Sequence, residues 1–344
     1  MQTLKIIADR NIPYLRDAID GLGEAVYLPG NEIGPEEVKD ADILLTRTRT
    51  KCNSALLDGS SCSFIGTATI GTDHIDLGYC ASHGITVANA PGCNAPAVAQ
   101  YVLSAVSKGL KSGEKLSDKT LGIIGVGNVG KILARWARGL GMRVLLNDPP
   151  RAESEGEDGF VSLDEIAREC DVISVHVPYT TGGKYPTFHL INDDFLRGTE
   201  RRPMIVNAAR GEVADTAALK SALRSGKVSS VAIDCWEGEP KIDTELLSMA
   251  LVATPHIAGY SAEGKIRATR MILEALARHL SIPAEKLISK LPATAPIPDT
   301  ITPSMLDYDI EADTQALKNS PSPSSVFESL RNNYPLRPEP HKHI

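Results

Sequence analysis

Short runs rich in Ile, Val and Leu, each of strand length, recur along the chain and alternate with stretches of helical periodicity. Continuous apolar strands of this kind are buried on both faces, as in parallel sheets covered by helices. Strands are predicted at 4–8, 25–28, 43–46, 64–67 and 85–89, a five-stranded unit. A turn containing Pro91 and Gly92 precedes a helix predicted over 95–108. A second series of strands follows at 121–125, 143–147, 172–176, 204–207 and 229–233, and a helix over 262–279 then carries the chain back.

A chain of 344 residues exceeds the ~250–300 residues at which single cores stop growing. Two doubly wound α/β domains are expected: 1–93 completed by 257–285, and 94–256. Prolines accumulate from Leu291 onward and apolar periodicity weakens, so 286–344 reads as a short C-terminal extension, an extended arm or a poorly ordered tail.

The formal net charge is -7, so no global basic field would draw the chain to nucleic acid or an anionic membrane. Lys5, Asp9, Arg10, Arg16 and Asp17 interrupt any signal-peptide core. No later apolar run approaches the ~18 residues of a membrane span, and a cytoplasmic protein is expected. The cysteines at 52, 62, 80, 93, 170 and 235 form no C-x-x-C pair and no cluster with histidines. They read as reduced, mostly buried thiols, without disulfide or metal.

Gly125, Gly127 and Gly130 stand in G-x-G-x-x-G spacing where a predicted strand runs into the amphipathic stretch 131–140. Such glycines give a tight turn, close approach of backbone to a pyrophosphate, and close packing of helix on strand, with helix amides facing the anion. Asp148 ends the next strand, where a carboxylate accepts hydrogen bonds from an adenosine ribose and repels a 2'-phosphate. NAD is therefore the expected cofactor.

Three polar sites follow strands of the second series, at the sheet edge where open α/β sheets present ligands. They are Arg210, the acids Glu237 and Glu239, and His256. Oxidation of a secondary alcohol needs a base for the hydroxyl proton, and histidine suits that task. A carboxylate on its far ring nitrogen would fix the tautomer and stabilise the imidazolium. An arginine fork matches a substrate carboxylate. Spacing alone does not choose between Glu237 and Glu239, and a lone His256 or Arg210 would read as a satisfied loop histidine or a surface ion pair.

Taken together, Gly125–Gly130 with Asp148, Asn207–Gly211, Asp234–Pro240 and Pro255–Gly259 resemble the D-isomer-specific 2-hydroxyacid dehydrogenases. Asp9–Tyr14, Gly66–Asp76, Ala90–Ala95, Asn147–Ala152 and Pro255–Lys265 narrow the resemblance to members that oxidise 4-phospho-D-erythronate at C2 in vitamin B6 synthesis. The resemblance covers most of the chain to about Leu291. It implies a flavodoxin-like substrate domain, a Rossmann NAD domain and a catalytic set of Arg210, Glu239 and His256. It further implies NAD contacts at Gly125, Gly127, Asn128, Val129, Gly130, Asp148, Val177, Ala208, Ala209, Arg210, Asp234 and Gly259, and substrate contacts at Thr48, Thr69 and Tyr260. Such members are homodimers with a terminal dimerisation domain. Tyr308–Asp313 and Phe327–Tyr334 resemble part of it, and the module is expected to be shortened here.

In Thr46–Lys51, strand alternation would set Arg47, Arg49 and Lys51 on one side, a cationic group suited to a phosphate ester. Arg47 is thus a further substrate candidate, against the bland reading of a solvated basic edge. A 3-phosphoglycerate dehydrogenase or hydroxypyruvate reductase would share the scaffold, and an NAD-sensing interaction protein is the reading from another class.

Overall fold

The computed structural model describes residues 3–341. The chain divides into two compact units: residues up to Asn94 with Ser261–Ala295, and Ala95–Tyr260 with the residues from Pro296 onward. The return to the first unit falls at Ser261, so 257–260 stay with the second unit, whose strands and loops hold them.

The first unit is built on β1 (Lys5–Asp9), β2 (Glu24–Leu28), β3 (Ile43–Thr46), β4 (Phe64–Thr67) and β5 (Thr86–Ala88), all parallel, in the order β2-β1-β3-β4-β5. This is the flavodoxin-like order. β3 and β4 are buried throughout, which is why they read as unbroken apolar runs. Helix Ala262–His279 covers one face, burying Ile272, Leu273 and Leu276 among Ile6, Leu45 and Phe64. Its N-cap, Ser261, accepts the Gly264 amide through Oγ at 3.0 Å.

The second unit carries β6 (Thr120–Ile124), β7 (Arg143–Asn147), β8 (Val172–Val175), β9 (Met204–Asn207), β10 (Ser230–Ile233) and β11 (Val252–Ala253). These strands are also parallel, in the order β11-β10-β9-β8-β6-β7. The two-residue β11 is too short to show a period and was not among the strands expected. β6 lies between β7 and β8, so the chain winds away from it in opposite directions, and the crevice at the carboxyl ends of β6 and β8 is the topological switch point. Helix Ala95–Gly109 belongs to this unit's core, with the Tyr101 hydroxyl 2.8 Å from Thr254 Oγ1.

The C-terminal residues correct the expectation of a loose arm. Among the described residues the proline-rich stretch around 292–302 and the stretch 334–341 lack helix, and within the first Trp136 donates its indole N–H to Pro298 O at 2.8 Å. Helices Ile310–Lys318 and Pro323–Asn332 follow, with Leu317 and Phe327 fully buried in the second unit's core. The segment reads as an arm or tail because its apolar periodicity is weak, yet these two residues are buried as deeply as any in the sheet.

Candidate active site

At the end of β6 the chain turns at Gly125, whose φ of +91° is a left-handed conformation that side chains disfavour. A Cβ there would lie 2.7 Å from the His176 carbonyl and 2.9 Å from Val177 Cγ1, which places Val177 beside the glycine turn. A Cβ on Gly130 would lie 2.3 Å from Gly125 O, so strand and helix touch backbone to backbone. Gly127 is the N-cap of helix Asn128–Gly139, and a Cβ added to it would meet nothing within 4 Å, leaving room for a ligand to approach. Asn128, Val129 and Gly130 form the helix's first turn, whose amides lack intrahelical partners. This cradle fits the pyrophosphate of a dinucleotide.

Asp148 N-caps helix Pro149–Glu155, accepting Arg151 N–H at 3.2 Å and Val126 N–H at 2.8 Å through its two oxygens. Arg151 donates to Val126 O at 2.8 Å and pairs with Glu155. A carboxylate at this strand end beside an engaged arginine suits an unphosphorylated ribose, as in NAD.

The loop after β11 is fixed by a buried carboxylate. Asp234 Oδ1 accepts the Thr254 hydroxyl at 2.7 Å and the Ile257 amide at 2.8 Å, and Oδ2 accepts the Ala258 amide at 2.9 Å. Burial pushes this carboxyl up, opposed by the His256 charge and by these hydrogen bonds. The His256 amide donates to Asp234 O at 2.9 Å, and His256 itself takes a left-handed φ of +56°. A non-glycine residue in this region is strained by roughly 1–3 kcal/mol and persists where its surroundings hold it.

That loop delivers His256 Nδ1 to 2.6 Å from Glu239 Oε1. Glu239 Oε2 accepts the Trp236 amide at 3.2 Å. Burial works against the Glu239 charge, yet its bond to His256, the Trp236 amide and Arg331 together hold the carboxyl below its ordinary range. The competing acid is engaged elsewhere: Glu237 Oε1 lies 2.6 Å from His189 Nε2, and Oε2 accepts the Thr216 amide at 3.2 Å. Nothing in the sequence ties His189 to an acid 48 positions away.

Arg210 follows β9 with Ala208 and Ala209. Asn207 holds this turn, accepting the Ala209 amide at 3.2 Å and donating to Arg210 O at 2.9 Å, while Arg210 Nη1 donates to Ala209 O at 2.8 Å. The next residue, Gly211, presses so closely on Trp236 that a Cβ would lie 2.1 Å from its carbonyl. The Arg210 turn is thereby fixed against the segment that bears Glu239.

Gly259 and Tyr260 complete the loop, with the Tyr260 amide donating to Ile257 O at 2.8 Å. Arg337 clasps it from the C-terminal segment. Its guanidinium donates to Ile257 O and Tyr260 O at 3.1 Å each, to Ala97 O at 3.0 Å, to Gln100 Oε1 at 3.2 Å and to Ala258 O, and it stacks 4.3 Å from the Tyr308 ring centroid. An arginine whose partners are mostly distant backbone carbonyls leaves no sequence signature.

Within the first unit, Arg47 Nη1 donates to Asn11 O at 3.3 Å, and Thr48 is exposed. The expected alignment of Arg47, Arg49 and Lys51 by strand alternation is not found. β3 ends at Thr46 and the chain turns at Thr48 and Arg49, because Thr50 is buried and bonds Gly30 O at 2.8 Å. Thr69 Oγ1 lies 2.7 Å from Thr67 Oγ1, which in turn lies 3.1 Å from His74 Nε2, a link that no sequence spacing suggested.

Among the described residues no helix is long and apolar enough to cross a membrane. All six cysteines are buried.

A glycine-lined dinucleotide cradle followed, on the same sheet, by an arginine turn and a histidine–carboxylate pair is the equipment of a 2-hydroxy-acid dehydrogenase. Residues 96–258 match the family described as "D-isomer specific 2-hydroxyacid dehydrogenase, NAD binding domain". The chain belongs to the D-isomer-specific 2-hydroxyacid dehydrogenase family, and its second unit contains the family's NAD-binding domain. More particularly, it is 49% identical to a Bacteroides fragilis protein named erythronate-4-phosphate dehydrogenase, covering 98% of this chain and 97% of that one. A Porphyromonas gingivalis protein of the same name is 44% identical over 96% of this chain and 92% of its own. Among solved structures, Aquifex aeolicus D-lactate dehydrogenase with NAD and lactic acid matches with TM-score 0.67 and 27% identity, over 85% of this chain and 99% of that one. NAD-bound 3-phosphoglycerate dehydrogenase of Entamoeba histolytica matches with TM-score 0.68 and 26% identity, over 85% and 99%.

Proposed function

We propose that this chain oxidises the C2 hydroxyl of 4-phospho-D-erythronate to the 2-oxo acid, 2-oxo-3-hydroxy-4-phosphobutanoate. NAD, when bound, supplies the hydride acceptor. The observation that carries the reading is the 2.6 Å contact between His256 Nδ1 and Glu239 Oε1. With Nδ1 directed at a carboxylate, Nε2 is the nitrogen left to take the proton from the substrate hydroxyl, and Glu239 stabilises the imidazolium so formed. Arg210 offers a planar fork to the substrate carboxylate. Gly125, Gly127, Asn128, Val129 and Gly130 receive the pyrophosphate, Asp148 the ribose, and Val177, Ala208, Ala209, Asp234 and Gly259 line the same sheet edge. The Asp234 carboxylate acts chiefly by fastening the His256 loop.

Substrate specificity is assigned to Arg47, Thr48 and Thr69 of the first unit and to Tyr260 of the second. The name shared by the relatives supports a phosphorylated four-carbon acid over lactate or glycerate. The same reading makes the protein a cytoplasmic homodimer in vitamin B6 synthesis.

Purified protein would be assayed for NAD reduction with 4-phospho-D-erythronate, 3-phospho-D-glycerate and D-glycerate side by side, with a 2-oxo acid acceptor in a parallel series to recycle retained cofactor. The expected result is a kcat/KM for phosphoerythronate at least ~100-fold above the others, the discrimination a site built for hydrogen-bonded groups readily reaches. Preference for another acid discards the substrate and keeps the dehydrogenase.

A further inference from the structure

Thr67 closes β4 and Thr69 lies just beyond it, at the carboxyl end of the first unit's sheet, the edge where open α/β sheets receive ligands. Thr67 is fully buried and Thr69 half-buried. The surrounding backbone is fixed. Ala68 donates its amide to Thr46 O at 3.0 Å, Ala90 to Thr69 O at 2.9 Å and Cys52 to His74 O at 2.8 Å. Asn89 Nδ2 donates to Ile70 O at 2.6 Å.

Here the side chains form one hydrogen-bonded chain. His74 Nε2 lies 3.1 Å from Thr67 Oγ1, which lies 2.7 Å from Thr69 Oγ1, and Thr69 Oγ1 lies 3.1 Å from Gly71 O. A carbonyl only accepts, so the Thr69 proton goes to Gly71 O, the Thr67 proton to Thr69 and the proton of His74 Nε2 to Thr67. Run this way the chain makes three hydrogen bonds; reversed, it leaves Gly71 O without Thr69 and makes two. The fuller pairing sets the direction. Burial lowers the pKa of His74, opposed by the Asp73 charge, and a neutral ring with its proton on Nε2 serves as the donor at the head of the chain.

Thr69 has therefore spent its proton and one lone pair, and toward a ligand it can only accept. A carboxylate or phosphate oxygen brought to it would set lone pair against lone pair, whereas an alcohol fits. In the proposed reaction the C2 hydroxyl gives its proton to His256, and the C3 hydroxyl of 4-phospho-D-erythronate is the donor left. In 3-phospho-D-glycerate that carbon bears the phosphate, and no such donor exists.

We propose that Thr69 accepts a hydrogen bond from the C3 hydroxyl of the substrate, with Thr67 and His74 as positioning residues that fix its polarity. This deepens the proposed function and rests on it.

The test compares 4-phospho-D-erythronate with D-2-hydroxy-4-phosphobutanoate, the same acid without its C3 hydroxyl, in the full-length enzyme. The wild type should favour the hydroxylated acid by about 10-fold in kcat/KM, mainly through KM, because the shorter partner leaves an enclosed acceptor unpaired. Thr69→Val keeps the shape and removes the acceptor, and should bring the two acids within about 3-fold of each other. Thr69→Ser should restore the preference. Thr67→Val should weaken the preference where Thr69 is present and add nothing to Thr69→Val, since the two act as one unit. NADH affinity, read by fluorescence, should stay at the wild-type value throughout. Long-range proton–nitrogen correlation NMR of isotope-labelled histidine reads the head of the chain, and His74 should carry its proton on Nε2. A wild type indifferent to the C3 hydroxyl, a preference that survives Thr69→Val, a silent Thr67→Val or a His74 proton on Nδ1 overturns the proposal and leaves the function standing. A wild type that does not oxidise phosphoerythronate overturns the function, and the proposal with it.

Discussion

His256 Nδ1 lies 2.6 Å from Glu239 Oε1, while Glu237, two residues away in sequence, bonds His189 at the same distance. Two neighbouring acids therefore have different histidines, and the proposed mechanism gives them different tasks. Glu239→Gln keeps the size and removes the charge that stabilises the imidazolium, and should lower kcat by about 100-fold or more, within the range for impaired acid–base catalysis. Glu237→Gln should leave kcat within a few-fold of wild type. Steady-state kinetics on the pair checks this, and a reversed order of effects would move the catalytic acid to Glu237.

Asp234→Asn probes the fastening of the histidine loop. One of the two oxygens becomes an amide, which cannot accept from Ala258 N–H or from the Thr254 and Ile257 donors. A buried donor left facing a donor costs about 1–3 kcal/mol. Both tryptophans, Trp136 and Trp236, lie in the second unit, so their emission during urea unfolding reports that unit. A loss of this size should appear there, with kcat reduced as His256 loses its placement. Undiminished kcat would show that the loop needs no such clamp.

Arg337→Met addresses the clasp. The substitution strips donors from the carbonyls of Ala97, Ile257, Ala258 and Tyr260. The second unit should lose about 3 kcal/mol or more, the magnitude expected when several buried acceptors are left unmatched. The same tryptophan-detected unfolding measures it, and a loss below about 1 kcal/mol would mean that water replaces the guanidinium.

His176 lies beside the glycine turn with Nε2 2.8 Å from Ser174 Oγ, and burial lowers its pKa to about 3. Over the range between that value and the ordinary 6.5, the unfolded chain binds a proton that the folded chain does not. Stability from this group is therefore complete above pH 6.5 and lost as pH falls toward 3, by up to about 1.4 kcal/mol per pH unit. His176→Gln should flatten the fall in stability between pH 6.5 and 4, read by tryptophan emission. An unchanged slope would place the imidazole's charge cost elsewhere.

Most strands were legible because β3, β4, β6, β8 and β9 are buried on both faces and so read as apolar runs. The glycine motif was legible because φ +91° at Gly125 and the 2.3 Å approach at Gly130 each demand glycine. What escaped was set by distant partners. The turn at Thr48–Arg49 depends on Thr50 reaching Gly30, and the order of the C-terminal segment depends on a few deeply buried residues such as Leu317 and Phe327. The choice between Glu237 and Glu239 was open to spacing and closed by two histidines, one of which gave no sign in the sequence.

The glycines of the cradle separate folding from cofactor binding. Gly127 combines φ -76° with ψ -146° and has open space around its missing Cβ, so Gly127→Ala should fold at a cost of about 1–2 kcal/mol. The added methyl stands where a pyrophosphate would approach, and NADH affinity should fall by at least about 10-fold, or 1.4 kcal/mol. In Gly130→Ala the methyl instead meets Gly125 O at 2.3 Å, so the helix must move off the strand and both stability and affinity should fall. Titration of NADH fluorescence beside tryptophan-detected unfolding separates the two cases. Wild-type NADH affinity in Gly127→Ala would mean that the cofactor's phosphates pass the loop at another point, and the roles of Asn128 and Val129 would move with them.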